Sequence, residues 1–434
     1  MRAQPSLGAI AATYLLVACG LDARKDEAET AGITTLSTLS DAQGTSSGAA
    51  EGSSDGAAGN DDSDPPSASS EGSSSDGGGP NAPKFDIGSV TGGSEDECAS
   101  GQDDDADGDG WTPAQGDCND CDANANPGAI EVVINQPDDT GEVPAPADED
   151  CDGGIDNVQL PCDGGFALDD DDALSAAAVI GLCKVAQGVD DYGILSADWV
   201  RANGTVVAPA LQFGLQDDFG ANVDPQEGAQ LLALSSGNGR LPGQAGSCGN
   251  LSCYGTGAGD APAGFPQDVP GCAGASDIND DIALEVTLRA PTNATGFSYN
   301  FDFYSFEYPE WVCTSFNDQY IALVEPAPVG SIDGNISFDS LGNPVSVNIA
   351  FFDVCDGCGL GTAELSGTGF DTWDDAGATS WLVTTAPVTG GSEITIRFAI
   401  WDTGDQAWDS TVLIDNFRWI ADGADVDVGT EPEG

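Results

Sequence analysis

The chain has 434 residues, enough for two or three domains, and carries 74 Asp and Glu against 10 Lys and Arg, a formal net charge of −64 with no His. That charge excludes nucleic acid and anionic membrane surfaces as electrostatic partners, because both require clustered Lys and Arg, although adaptation to high salt or plain solubility would produce the same acidity. Without His the chain lacks the commonest general base, the usual nucleophile–base pairs and the commonest zinc ligand, so any catalysis would run on carboxylates.

A positive start, Met1-Arg2, and an apolar run over residues 7–18 have the make-up of an export signal, too short to span a bilayer as a stable helix. The run ends Leu16-Val17-Ala18-Cys19, which resembles the bacterial lipobox. The resemblance implies cleavage of a 1–18 signal peptide and diacylation of Cys19, hence a membrane partner through the lipid and a place in the cell envelope, at the outer membrane or cell surface. An ordinary secretory signal would instead release the protein. Twelve other Cys remain: Cys98, Cys118, Cys121, Cys151, Cys162, Cys183, Cys248, Cys253, Cys272, Cys313, Cys355 and Cys358. In an oxidising compartment their even number predicts up to six disulfides, with connectivity open.

Residues 19–101 are Ser, Gly, Ala, Asp and Glu with scattered Pro, which cannot bury enough apolar surface to offset their ordering entropy. They are predicted to be a disordered tether with a span of roughly 50 Å.

Residues 102–160 form an Asp/Cys-rich segment. From Asp103 to Asn157 there are 17 Asp or Glu and no Lys, Arg or His, so only an external cation can offset the repulsion on folding. The spacing Asp105-Ala-Asp107-Gly-Asp109-Gly110 can wrap carboxylate oxygens around one hard cation, and oxygen-only ligation favours Ca²⁺ over zinc or copper. An EF-hand is disfavoured, because the twelfth position from Asp105 is Gly116 and neither flank has a helical apolar period. An acidic linker without an ion site is the bland alternative, and the Cys within the segment argue against it. The order Asp105 to Gly110, Asp117-Cys118-Asn-Asp120-Cys121-Asp122, Asn126-Pro127-Gly128-Ala129, Glu131, and Asp150-Cys151-Asp152-Gly153 with Asp156-Asn157 resembles the MopE-type metal-binding motif of bacterial surface proteins. More distantly it is similar to the calcium-binding type 3 repeats of thrombospondin. Cys121 and an insertion over 132–147 depart from the pattern. The resemblance implies Asp105, Asp107, Asp109, Asp117, Asp120, Asp122, Asp150 and Asp152 as ligands of a structural Ca²⁺, with Cys118 and Cys151 as a staple.

Residues 161–421 have a globular composition. Asp171-Asp172 can cap a helix over 173–186, with Leu174, Ala177, Ala178, Gly181, Leu182 and Val185 on one stripe. The Gly- and Pro-rich stretch 237–274 is loop, where Cys248 and Cys253 can close a small ring; Gly255-Thr-Gly257-Ala-Gly259 is loop too, with no strand before it or helix after it. Alternation over 297–304 and 394–401 predicts strands with one buried face each, and further strands are predicted at 283–288, 319–324, 345–352, 380–385 and 412–419. The fold class is therefore mainly β, an antiparallel β-sandwich of jelly-roll type. Residues 422–434 read as an acidic disordered tail.

The blocks Gly228 to Gly237, Phe301-Asp302-Phe303, Ser305-Phe306-Glu307-Tyr308-Pro309-Glu310, Ser315-Phe316-Asn317-Asp318, Asp402 to Asp405, Asp409-Ser410 and Leu413-Ile414-Asp415-Asn416 resemble the choice-of-anchor L domain of bacterial surface proteins across 173–419. The resemblance implies a non-catalytic surface domain found beside varied anchoring devices. In an exported chain, Cys355-Asp-Gly-Cys358 is a structural disulfide. The expected function is adhesion or recognition by a metal-stabilised surface lipoprotein, with a glycan or surface protein as ligand. The alternative is a hydrolase of envelope or environmental glycans using Glu307 and Glu310. Asp402, Asp405 and Asp409 are a candidate second Ca²⁺ site, against a solvated loop. Trp311, Trp373, Trp381, Trp401, Trp408 and Trp419 are either a sugar-stacking platform or packing.

Overall fold

A computed structural model describes residues 101–134, 143–253, 255–349, 351–373, 375–421 and 423–433, all within one unit of the chain, Gly88–Gly434. The signal peptide, Cys19, Cys98 and the tether up to residue 100 lie outside the described residues. In chain order the elements are α1 (Ala173–Val179), β1 (Gly193–Val200), β2 (Phe213–Gln216), β3 (Leu231–Ser235), β4 (Ile278–Arg289), β5 (Gly296–Ser305), β6 (Gln319–Glu325), β7 (Val345–Ser346), β8 (Gly377–Ala378), β9 (Leu382–Pro387), β10 (Glu393–Thr403), β11 (Ser410–Ile420) and β12 (Gly429–Pro432). The expected mainly β, antiparallel architecture is borne out. One sheet has the order β1-β4-β10-β6-β7; the other runs β12-β9-β5-β11-β3-β2, with β8 also pairing β5.

The main core lies between the sheets. Ile282, Leu284, Val286 and Leu288 of β4 and Ile394, Ile396, Phe398 and Ile400 of β10 meet Phe297, Tyr299, Phe301 and Phe303 of β5 and Val412 and Ile414 of β11. Period-two alternation places these residues on the inner faces. The outer faces are covered over much of β5 and the end of β10, contrary to the expectation of one buried face, while β1 and the start of β10 stay open to solvent. Tyr304 and Leu413 are covered by Phe219, Phe306, Leu365 and Phe370, and Ala283, Ala399 and Trp401 are packed with Val200 and Phe265. Long connections supply both outer layers, so β5 is buried along nearly all its length.

Other expectations need correction. The helix stops after Val179 rather than at 186: Gly181 turns left-handed at φ 98°, and a Cβ there would stand 2.9 Å from the Phe417 carbonyl oxygen. Asp172 does cap it, accepting from Leu174 N at 3.0 Å, but Leu174 and Val185 are exposed and Ala173, Ala176, Ala177 and Val179 form the buried face. Of the described residues in 345–352 only Val345–Ser346 is strand, because Ile349 N donates to Ser346 O and closes a turn. Strand β9 begins at Leu382 because Ser380 sits at φ 63°. Within the expected tail, Gly429–Pro432 pairs with β9, and the Thr384 and Thr430 hydroxyls are 2.8 Å apart. Among the described residues no helix is long and apolar enough to cross a membrane.

Candidate metal centre

The Asp-rich segment is built on Asx-type turns. Asp105 accepts from Gly108 N at 2.7 Å and Gly110 N at 3.1 Å, Asp107 from Asp109 N at 3.2 Å, Asp109 from Trp111 N at 2.7 Å, and Asp117 from Asn119 N at 2.8 Å. Short polar side chains that bond the backbone two or three residues on hold the chain in turns, and Gly108 and Gly110 take the left-handed φ those turns need. Asp120 reaches back to Ala106 N at 3.0 Å and closes the loop.

The consequence is a division of labour within each carboxylate. One oxygen of Asp107, Asp109, Asp117 and Asp120 is held by an amide, while Oδ2 of each is buried and accepts from no donor. Asp105, Asp107 and Asp120 can bring one oxygen each within 4.8 Å of the others, and so can Asp107, Asp109 and Asp117, so Asp107 belongs to both triads. Burial lifts the Asp107 and Asp117 carboxyls above their ordinary range, and neighbouring Asp charges push the same way. An all-carboxylate donor set with inward, undonated oxygens fits a hard cation rather than a soft one.

A third triad joins Glu131, Asp148 and Asp150. Glu131 Oε2 accepts from Asp156 N at 2.6 Å, its Oε1 is orphaned, and burial pushes its carboxyl up to about 7. Glu131 and Asp148 were not expected as ligands; Glu131 stands in the motif's order and Asp148 just before its last block, but only the closure of the segment's two ends brings them together. Asp122 and Asp152 join none of the triads: Asp122 accepts from Asn124, and Asp152 from Gly154 N and Asn157 Nδ2.

Cys118–Cys151 joins the segment's two halves, and Asn126 N donates to Glu149 O at 2.8 Å between them. The other pairs among the described residues are Cys162–Cys183, Cys248–Cys253, Cys272–Cys313 and Cys355–Cys358, and Cys121 is also disulfide-bonded. The Asn-Pro-Gly-Ala block serves docking. Asn126 Oδ1 accepts from Gly128 N at 2.9 Å and Thr292 Oγ1 at 2.7 Å, Thr292 N donates to Gly128 O at 2.9 Å, and Asn293 exchanges two bonds with the Ile130 backbone. The segment therefore sits on the β4–β5 connection.

In the sandwich, Glu307 is buried and Glu310 exposed, so the expected acid/base pair is divided between two environments. Asp402 and Asp409 are buried, whereas Asp405 is exposed. Trp401 is core, Trp381 and Trp419 pack against clusters, and Trp311, Trp408 and Trp373 meet edge-on with centroids 5.5 and 5.8 Å apart.

Residues 266–417 match the family model of the Choice-of-anchor L domain, which spans β4 through most of β11. The match is narrower than the sequence resemblance over 173–419: the block 228–237, α1, β1, β2 and β3 lie outside it. No curated protein matches the chain.

Proposed function

We propose that the protein is a non-catalytic, lipid-anchored cell-surface protein whose Asp-rich segment is closed by structural Ca²⁺ and whose β-sandwich acts in adhesion or recognition. The observation that carries the ion is the set of buried carboxylate oxygens without donors on Asp107, Asp109, Asp117, Asp120 and Glu131. These residues, with Asp105, Asp148 and Asp150, would hold the cation. Its role would be structural, offsetting charge that no local Lys or Arg can offset. The match at 266–417 supports a surface-associated, non-enzymatic protein, and the Leu-Val-Ala-Cys sequence ending at Cys19 supports the lipid. For a glycan or surface-protein ligand, the edge-on Trp311, Trp373 and Trp408 group is the favoured contact, because Trp373 is exposed.

The test is thermal unfolding of the full chain in chelator and in millimolar Ca²⁺. Extracellular calcium modules bind at about 10⁻⁴ to 10⁻³ M, so Ca²⁺ at about 10 mM, a tenfold to hundredfold excess, should add roughly 1–3 kcal/mol and raise Tm by a few degrees. A Tm indifferent to Ca²⁺ would sink the structural-ion reading. A hydrolase would instead turn over a polysaccharide and lose that turnover in Glu307→Gln.

A further inference from the structure

We infer that the sandwich seats one neutral sugar ring in a cavity beside Trp373 and Trp408, an inference that rests on the proposed recognition of a glycan and gives it a place and a ligand class. The cavity, of about 160 Å³, lies where the loop after β3, the turn at 368–372, the end of β5 and the start of β11 meet. One wall is aromatic: Phe306 and Phe370 stack with centroids 4.2 Å and planes 24° apart. Thr372 and Asp409 line it as well, and their chain neighbours Trp373 and Trp408 meet edge-on with centroids 5.8 Å apart. Trp373 is 40% exposed, so the aromatic surface continues from the cavity outward.

Three residues lining the cavity each keep one buried polar atom without a partner: Asn238 Oδ1, Arg240 Nε and Asp409 Oδ1. Their other polar atoms are held. Asn238 Nδ2 donates to Gly246 O at 2.7 Å, Arg240 Nη1 donates to Leu168 O at 3.1 Å and to Phe213 O, and Asp409 Oδ2 accepts from Cys253 N at 2.9 Å. The Cys248–Cys253 bond closes the small ring that supplies this amide. Gly237 makes room for Asp409, since a Cβ there would stand 1.8 Å from its Oδ2.

Buried polar atoms left unpaired are costly, and several around one cavity call for a guest that pairs them. Asn238 Oδ1 can only accept and Arg240 Nε only donate, so the guest must carry both functions, as each hydroxyl of a sugar does. Water carries both too, but the aromatic wall gains only from a guest with an apolar face, and the C–H face of a pyranose ring is one. Size and charge narrow the class. The space equals roughly five waters of liquid volume, enough for one ring and not for an oligosaccharide along its length, so a longer chain would run outward over Trp373. The net charge of −64 works against an acidic sugar and Arg240 against an amino sugar, which leaves neutral hexose residues.

The test titrates the full chain with the methyl glycosides of glucose, galactose, mannose and N-acetylglucosamine, read by saturation-transfer NMR and tryptophan emission. At least one is expected to bind at about 1 mM, the range for a ligand of this size. Asp409→Ala and Asn238→Ala are each expected to weaken it about tenfold. Binding of none overturns the site and leaves the cavity to water, and so does a sugar that a folded Asn238→Ala chain holds as tightly as wild type. Should Asp409→Ala misfold, Asn238→Ala decides alone, because it gives up only the bond to Gly246 O. The wider glycan reading is judged on arrayed neutral polysaccharides. One held by wild type and Asn238→Ala but lost by Trp373→Ala keeps that reading and strikes the cavity; a chain that holds neither polysaccharide nor methyl glycoside strikes both.

Discussion

Gly128 shows how much a single missing side chain can govern. A Cβ there would stand 2.8 Å from Thr292 Cγ2 and 3.2 Å from Asn126 Oδ1, inside the contact that seats the Asp-rich segment on the sandwich. Gly128→Ala is therefore expected to cost about 1–3 kcal/mol, as an overpacked interface does, measured by urea unfolding. Gly108 is constrained differently: its φ is +85° but nothing lies near its Cβ, so Gly108→Ala should cost only about 1 kcal/mol, from backbone strain. Equal costs for the two would contradict the docking contact. On the proposed Ca²⁺ reading Asp107, common to two triads, is the carboxylate whose loss matters most; Asp107→Asn is expected to shrink a Ca²⁺-dependent rise in Tm more than Asp122→Asn, which touches neither triad.

Among the elements, β5 and β10 were legible because their aromatic and aliphatic residues alternate, and alternation is the period of a strand. Strands β2 and β3 were not: Leu231-Leu-Ala-Leu-Ser235 is buried at every position, so no alternation marks it. The helix was legible at its start, where Asp172 caps it, and not at its end, where Gly181 is held by a tertiary approach to Phe417. The same distinction runs through the site. Asp105, Asp107 and Asp109 follow from spacing along one turn, whereas Glu131 and Asp148 are brought together by contacts between distant stretches of the segment. Strand β12 was missed because its residues are acidic and polar, and only the open edge of β9 recruits them. A stop after residue 421 should uncover that edge, raise amide exchange along β9, and lower stability by about 1–2 kcal/mol through loss of the Val428 packing. Unchanged exchange at Thr384 and Thr385 would show that β12 contributes nothing.

For the molecule as a whole, acidity makes stability depend on pH in a direction opposite to that of a salt-bridged protein. Asp415 is 1% exposed, accepts from Gln226 N at 2.6 Å and Asn416 N at 2.6 Å, and burial still outweighs these amides and pushes its carboxyl up to about 7. Unfolded, it titrates near 3.9. Between roughly pH 4 and 7 the folded chain therefore holds a proton that the unfolded chain has released. Stability is full below that window, falls as pH rises through it by at most about 4 kcal/mol, and levels off above. Urea unfolding of wild type and Asp415→Asn from pH 4 to 8 should reveal the slope in the first and a flatter profile in the second.

The Cys118–Cys151 bond also sets how the chain bears tension. A pull arriving from the N-terminal side reaches Cys118 and passes straight to Cys151, bypassing the 33 residues of sequence separation that hold Glu131 and the docking loop. Oxidised, the protein withholds roughly 110 Å of contour from the applied force. Reduced, it would yield that length as slack, so the redox state of one bond decides whether a pull from the N-terminal side loads the sandwich or first extends the Asp-rich segment.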